Sequence, residues 1–344
     1  MVYLDWASTA MPQYNVSDYN DFWFNPNSNY AVTETMEFGR CEDAIKKAIG
    51  AKSGKVIFGG NASWFFEKLY CNQASFWLCS PYEHDCVYRN GVEMDYTEIE
   101  CLIDEIYCHQ LVNNITGEIF DAEKIGKHIK EKGGYFICDA TASIGRCNVP
   151  DKLEDWCDAL VMSSHKVGVD NKQIGCAWVS DRLSRHLCLG TSVVHGYGWV
   201  DGTPDLASAK ATTTAVSFAC EYAEDYDYEY RQILWDLVGL FDDYGIKYKG
   251  IHAPKRSAAI NAIILDGINA NALCNYLASE NIYISPGHSA CEEDGDYRVL
   301  KRYGLSQSEC ESTIRVSFGP TTTPKDIEEF VKGIVNFKER FCNG

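Results

Sequence analysis

Apolar and polar positions along this chain follow two rhythms, one of helical period and one of short apolar runs, and the two alternate. From Thr33 to Ile49 the residues Met36, Cys41, Ala44, Ile45 and Ala48 fall at helical spacing, and Gly50 ends the run. Val56-Ile57-Phe58 reads as a strand, followed by the small, polar Gly59-Gly60-Asn61-Ala62-Ser63 and a helix predicted from Trp64 to Tyr70. The apolar run Phe76-Trp77-Leu78 leads to the polar Pro81-Tyr82-Glu83-His84. A further strand is predicted to end near Val112-Asn113-Asn114, and Gly117 to Lys132 is amphipathic with Ile119, Ile125 and Ile129 inward. Tyr135-Phe136-Ile137-Cys138 is a strand running into Asp139, and Ala159-Leu160-Val161-Met162 is another running into Ser163-Ser164-His165-Lys166 and a turn-prone Val167-Gly168. Strands alternating with helices predict an α/β fold with a mainly parallel sheet, whose strand C-terminal ends are where ligands bind.

Chemistry concentrates at those ends. A lysine after a buried strand is placed by the fold, and desolvation there lowers the pKa of an amine so that it can act as a neutral nucleophile toward a carbonyl. Asp139 ends an apolar strand, where a carboxylate is costly to bury unless a cation meets it or it caps a helix. The turn at Gly59 to Ser63 joins a strand to a helix N-terminus, an arrangement that gathers free backbone N–H groups for an anion. Ser312 to Ser317 alternates like a strand, on which Arg315 could simply face solvent. Tyr283-Ile284-Ser285-Pro286-Gly287-His288-Ser289-Ala290-Cys291 leaves a strand for a glycine-containing, acidic stretch that suits a moving thiol.

Composition narrows the classes. With 344 residues, 46% hydrophobic and 23% charged, the chain is an ordinary globular protein with room for a large and a smaller domain. Its net charge of -18 repels phosphate backbones and anionic lipid, which argues against nucleic-acid and membrane partners. No stretch approaches a membrane span and the start shows no signal-peptide pattern, so the expected location is cytoplasmic. Sixteen scattered cysteines form neither a C-x-x-C pair nor a zinc spacing, so no metal is expected and most are expected to be reduced core residues.

Taken together, these motifs resemble the class V, fold-type I pyridoxal phosphate enzymes, and among them the cysteine desulfurases of the NifS and IscS kind. The resemblance runs from Tyr3-Leu4-Asp5 through Asn25-Pro26-Asn27-Ser28, Glu83-His84, Val112-Asn113-Asn114, Asp139-Ala140-Thr141 and Ser163 to Lys166, into Gly202-Thr203, Ser289-Ala290-Cys291 and Ile314-Arg315. It implies a mainly parallel seven-stranded sheet sandwiched by helices in a large domain at 13–225. A smaller α+β domain, from 1–12 and 226–344, would carry Cys291 and Arg315.

It further implies that Lys166 holds the pyridoxal phosphate and moves the substrate Cα proton, that Asp139 keeps the cofactor's pyridine nitrogen protonated, and that His84 stacks on its ring as an acid or base. Ser63, Ser163, His165 and the backbone at Ala62 would hold the phosphate, with Thr203 reaching it from the other subunit of a homodimer. Asn114 and Arg315 would hold the carboxylate of L-cysteine, Arg315 by a two-pronged grip. Cys291 would take the sulfur as a persulfide and pass it to an acceptor protein or thiol, leaving alanine.

The chain departs from the family pattern in several places. Ala142 stands where a glutamine donor is usual, Gly59-Gly60-Asn61 and Trp64 replace Thr-Ser-Gly and Glu in the phosphate turn, and Val200 replaces an arginine before the Gly-Thr pair. With the sequence stopping at Gly344, short of the longer tail with which members of that family meet a scaffold, delivery to that kind of scaffold is not expected. A selenocysteine lyase or aminotransferase of the same class, or a non-catalytic member, also fits these motifs.

Overall fold

The computed structural model describes residues 1–19, 25, 32–72, 77–251, 253, 255–288 and 296–341. Cys291, with Ser289, Ala290 and the acidic Glu292, Glu293 and Asp294, lies outside the described residues, as do Pro26, Asn27 and Ser28. The chain divides into two compact units. One comprises Met11–Leu111 and Phe120–Ala223, and the other Met1–Ala10, Val112–Ile119 and Glu224–Gly344.

After β1 (Val2–Tyr3), the next seven strands belong to the first of these units: β2 (Lys55–Gly59), β3 (Trp77–Cys79), β4 (Val92–Glu93), β5 (Ile106–Gln110), β6 (Tyr135–Asp139), β7 (Ala159–Ser163) and β8 (Gly175–Val179). They form one sheet in the order β2-β8-β7-β6-β5-β3-β4. β8 runs antiparallel to β2 and β7, and the remaining pairs are parallel. β5, β6, β7 and β8 are buried at every position, so their polar residues are confined to the C-terminal ends, at His109 and Gln110, Asp139 and Ser163. Ile57, Ile106, Ile137 and Val161 of the sheet share one core cluster with Phe65 and Phe66 of the helix Ala62–Asn72.

The largest departures from the sequence reading fall at two elements. The strand expected to reach Val112-Asn113-Asn114 ends at Gln110, because the Asn113 side chain accepts the Ile115 and Thr116 N–H groups at 2.9 Å each and turns the chain. The amphipathic segment from Gly117 becomes helical only over Ala122–Glu131. Gly117 holds a left-handed φ of 74° against the Ile260 carbonyl, Ile119 N–H donates to Lys255 O at 2.9 Å, and Asp121 caps the helix by accepting from Lys124 N–H at 3.1 Å. Ile125 and Ile129 are buried as expected, whereas Ile119 lies outside the helix.

The second unit is built on a four-stranded antiparallel sheet. Its strands are β9 (Tyr248–Gly250), β10 (Ile260–Leu265), β12 (Ser285–Pro286) and β13 (Thr313–Ser317), in the order β12-β13-β10-β9. β11 (Ile282–Tyr283) pairs in parallel with β1. Beyond β1 the chain continues against β13, where Asp5 bridges Ser317 and the buried Trp6 fills the space over Gly319. β13 is buried at all five positions, which excludes a solvent-facing Arg315. Fourteen cysteines fall among the described residues and none of them forms a disulfide. Seven are buried, and Cys71, Cys101 and Cys188 are exposed, so the core role expected for most holds for half of them.

Candidate active site

The strand ends of the larger unit bring together most of the expected residues. β6 and β7 are adjacent and parallel, so Asp139 and the segment following Ser163 emerge at the same edge of the sheet. Lys166 lies half-buried in the single 3-10 turn Ser164–Val167. That turn closes on Gly168, whose φ of 90° is open to glycine at little cost. The buried Arg146, which sequence reasoning missed, donates from Nη2 to the Lys166 carbonyl at 3.4 Å and ties the turn from below.

Asp139 is 6% exposed and accepts the Thr141 N–H at 2.8 Å. Burial pushes its carboxyl pKa upward, while hydrogen bonds from Thr141 and the charge of Lys166 pull it back. His165 is pushed down to about 4 by burial and by the charges of Lys166, Lys172 and Arg146. It is therefore neutral at physiological pH, and its Nδ1 has no hydrogen-bond partner among the described residues.

Ser163 and Ala62, 101 residues apart, meet directly: the Ser163 hydroxyl oxygen accepts the Ala62 N–H at 2.9 Å. Its own O–H hydrogen remains available to donate to another group. Asn61 caps the same helix by accepting the Trp64 N–H at 3.2 Å, and Ser63 is exposed on its first turn. The glycine pair before it has a packing cause, because a Cβ at Gly59 or Gly60 would fall 2.5 Å from the Trp64 ring. Gly59-Gly60 and Trp64 are thus one coupled exchange of small for large, in which the indole takes the room that Thr and Ser side chains would need. Thr203 is exposed and lines a cavity of about 380 Å³ together with Gly59, Gly60, Trp64 and Lys68.

His84 is the N-cap of the short helix Asp85–Tyr88. Its Nδ1 accepts the Cys86 N–H at 3.2 Å and lies 3.1 Å from Cys86 Sγ. A backbone N–H can only donate, so neutral His84 carries its proton on Nε2. Ala142 is 8% exposed and, as alanine, offers no side-chain donor.

In the smaller unit Arg315 is 4% exposed and enclosed by hydrogen bonds. Its Nη1 donates to the Asn114 carbonyl at 3.0 Å, so Asn114 engages it through the backbone. Its Nη2 donates to Asp5 Oδ1 at 2.9 Å, Ser8 Oγ at 2.5 Å and Ser285 Oγ at 3.2 Å. Both forks of a guanidinium include Nη2, so the two-pronged grip expected from the sequence is already occupied in this structure. Asp5, Ser8 and Ser285 were not singled out as site residues. The rule that a buried arginine needs an anionic partner was the available signal, but it does not say which of 49 acidic residues that partner is.

Among the described residues no helix is long and apolar enough to cross a membrane, and no three His, Cys, Asp or Glu side chains converge as a metal site.

A mostly parallel seven-stranded α/β sheet with a lysine and a buried aspartate at neighbouring strand ends is the frame of a fold-type I enzyme. A sequence model of the class-V aminotransferase family matches residues 91–330, and the chain belongs to that family. Pyridoxal phosphate is the cofactor of class-V enzymes in general. A "Probable cysteine desulfurase, mitochondrial" from Dictyostelium discoideum is 23% identical over 95% of this chain and 80% of its own length. A "Putative cysteine desulfurase NifS" from Halalkalibacterium halodurans is 23% identical over 96% of both chains. The solved structure of a NifS-like protein from Rickettsia africae superposes with a TM-score of 0.83 at 17% identity, covering 98% of this chain and 99% of its own.

Proposed function

We propose that this protein is a pyridoxal phosphate-dependent cysteine desulfurase, which removes sulfur from L-cysteine, releases L-alanine and carries the sulfur on Cys291 to an acceptor protein or thiol. The observation that carries the reading is Asp139 beside the Lys166 turn: a buried carboxylate and a strand-end amine at adjacent strand ends, in a chain whose near full-length relatives are named desulfurases. The residues present fit the cofactor. Asp139 would face its pyridine nitrogen as the cation that a buried carboxylate requires. The free hydrogen of Ser163, the unpartnered His165 Nδ1, Ser63 and the backbone at Ala62 would surround its phosphate. Thr203 would complete that site for the partner subunit of a homodimer. The large domain in this reading is 13–225, and the small domain, 1–12 with 226–344, contributes Arg315 and Cys291.

When bound, the cofactor supplies an electron sink for charge left at the substrate's Cα. The Lys166 amine removes the Cα proton and later returns one. Asp139, if the cofactor's pyridine nitrogen met it as a cation, would hold a proton on that nitrogen. His84, with its proton on Nε2, would donate from that atom as an acid, and Asn114 and Arg315 would orient the substrate carboxylate. The Cys291 thiolate bonds to the substrate's sulfur as the carbon–sulfur bond breaks, and the carbon fragment leaves as alanine after protonation.

The test is product analysis. With added pyridoxal phosphate, L-cysteine and a thiol reductant, alanine and sulfide are expected in equal amounts. A keto acid with no sulfide would assign an aminotransferase, and turnover of selenocysteine alone would assign a lyase.

Asp139→Asn separates the two demands on that carboxylate. A carboxyl raised by burial ionises first in the unfolded chain, so it lowers stability as pH climbs from the ordinary carboxylate value through its raised folded one, and the deficit persists above. The cofactor-free Asn variant is therefore expected to melt roughly 1–3 °C higher at neutral pH, with the gain vanishing at about pH 3, where Asp139 is protonated in both states. Turnover of the loaded enzyme is expected to fall roughly 100-fold. Melting curves across pH and steady-state rates check both halves.

A further inference from the structure

The Arg315 site is built with its own anion. Asp5 reaches it from 310 residues away, held by the β1–β11 pairing, by its bridge to Ser317 on β13 and by the Ser8 N–H donating to the Asp5 carbonyl at 3.0 Å. Asp5 Oδ1 takes both Arg315 Nη2 at 2.9 Å and the Ser285 hydroxyl at 2.7 Å. Ser8 and Ser285 share the same Nη2, while the buried Nε has no partner among the described residues. The guanidinium is thus neutralised and its shared prong filled, yet one donor meets no acceptor among the described residues. A purely structural ion pair this buried would be expected to use that donor as well.

We propose that Asp5 is an internal competitor for the carboxylate site of Arg315. It occupies Nη2 in the resting chain, and an amino-acid carboxylate binds by taking Nη2 together with Nε. Asp5 is left on its Ser285 hydrogen bond. Asp5 then sets substrate affinity without touching the reacting atoms. A site held nine-tenths of the time by its own aspartate binds its ligand about tenfold more weakly than the open site does. The exchange also discriminates, because a ligand without a carboxylate cannot displace Asp5 and so cannot open the site.

This inference rests on the reading of Arg315 as the substrate-carboxylate grip, and the test separates the two. The probe is L-alanine, titrated by calorimetry into the full chain saturated with pyridoxal phosphate. Asp5→Asn keeps the shape and removes the charge, and it is expected to tighten L-alanine binding about fivefold to tenfold. Unchanged or weaker binding overturns the proposal and makes Asp5 a fixed anchor that positions Arg315. Arg315→Lys is expected to weaken binding at least tenfold; if it does not, the grip reading itself fails and Asp5 has nothing to compete for. Should Asp5→Asn not fold, Ser285→Ala serves instead. It removes the hydroxyl that shares Asp5, so the aspartate's charge bears wholly on Arg315, and L-alanine binding is expected to weaken about twofold to threefold. Equal or tighter binding there overturns the proposal.

Discussion

Lys166→Ala protein is expected to fold normally and to lose turnover on the order of 10⁴-fold. The fold should survive because the side chain is only half-buried and the contact that ties its turn, from Arg146, is to the Lys166 backbone carbonyl. What disappears is the amine, which in the proposed mechanism is both the covalent hold on pyridoxal phosphate and the group that moves the Cα proton. Borohydride reduction of the loaded wild type followed by peptide mass spectrometry should label the peptide containing Lys166, and the variant should carry no label. Its melting temperature should stay within about 2 °C of wild type, since the side chain removed is only half-buried. A label on another lysine, such as the nearby Lys172, or turnover within tenfold of wild type, would move the reactive amine elsewhere.

Cys291→Ser is expected to abolish sulfur transfer while leaving substrate binding in place. Hydroxyl for thiol is a small change in volume, but a serine cannot accept sulfur to form a persulfide. Alanine release should fall by at least about 10³-fold, and mass spectrometry should find no added sulfur on the variant, whereas L-alanine should still bind with near wild-type affinity. In sequence Cys291 is followed by Glu292, Glu293, Asp294 and Asp296. Four carboxylates disfavour a thiolate in their neighbourhood, so wild-type Cys291 should alkylate slowly with iodoacetamide when substrate is absent and faster when L-alanine is bound. Turnover near the wild-type rate in the serine variant would remove the desulfurase reading and leave a lyase or aminotransferase in its place.

The candidate strand-end site was legible in the sequence because it is local. Asp139, Ser163 and Lys166 each follow an apolar run that both faces of a parallel sheet force to be continuous, and a chain that alternates such runs with helices has its ligands at those ends. The glycine pair at 59 and 60 was legible as a turn, but its cause was not. Only the packed structure shows the Trp64 ring lying where their side chains would be.

Contacts between distant residues were beyond the pattern altogether. Ser163 meeting Ala62 depends on the placing of β2, β7 and β8 in the sheet, since no local period links positions 101 apart. The strand pattern by itself leaves Arg315 free to face solvent, and only the family resemblance implies a carboxylate grip. Its burial, its filled Nη2 prong and its unpartnered Nε follow from β13 lying between β10 and β12 while the first residues of the chain thread alongside. Hydrophobic periodicity specifies which face of an element is buried. It cannot specify which charge, 310 positions away, arrives to meet a buried arginine, because that is decided by strand register and chain threading.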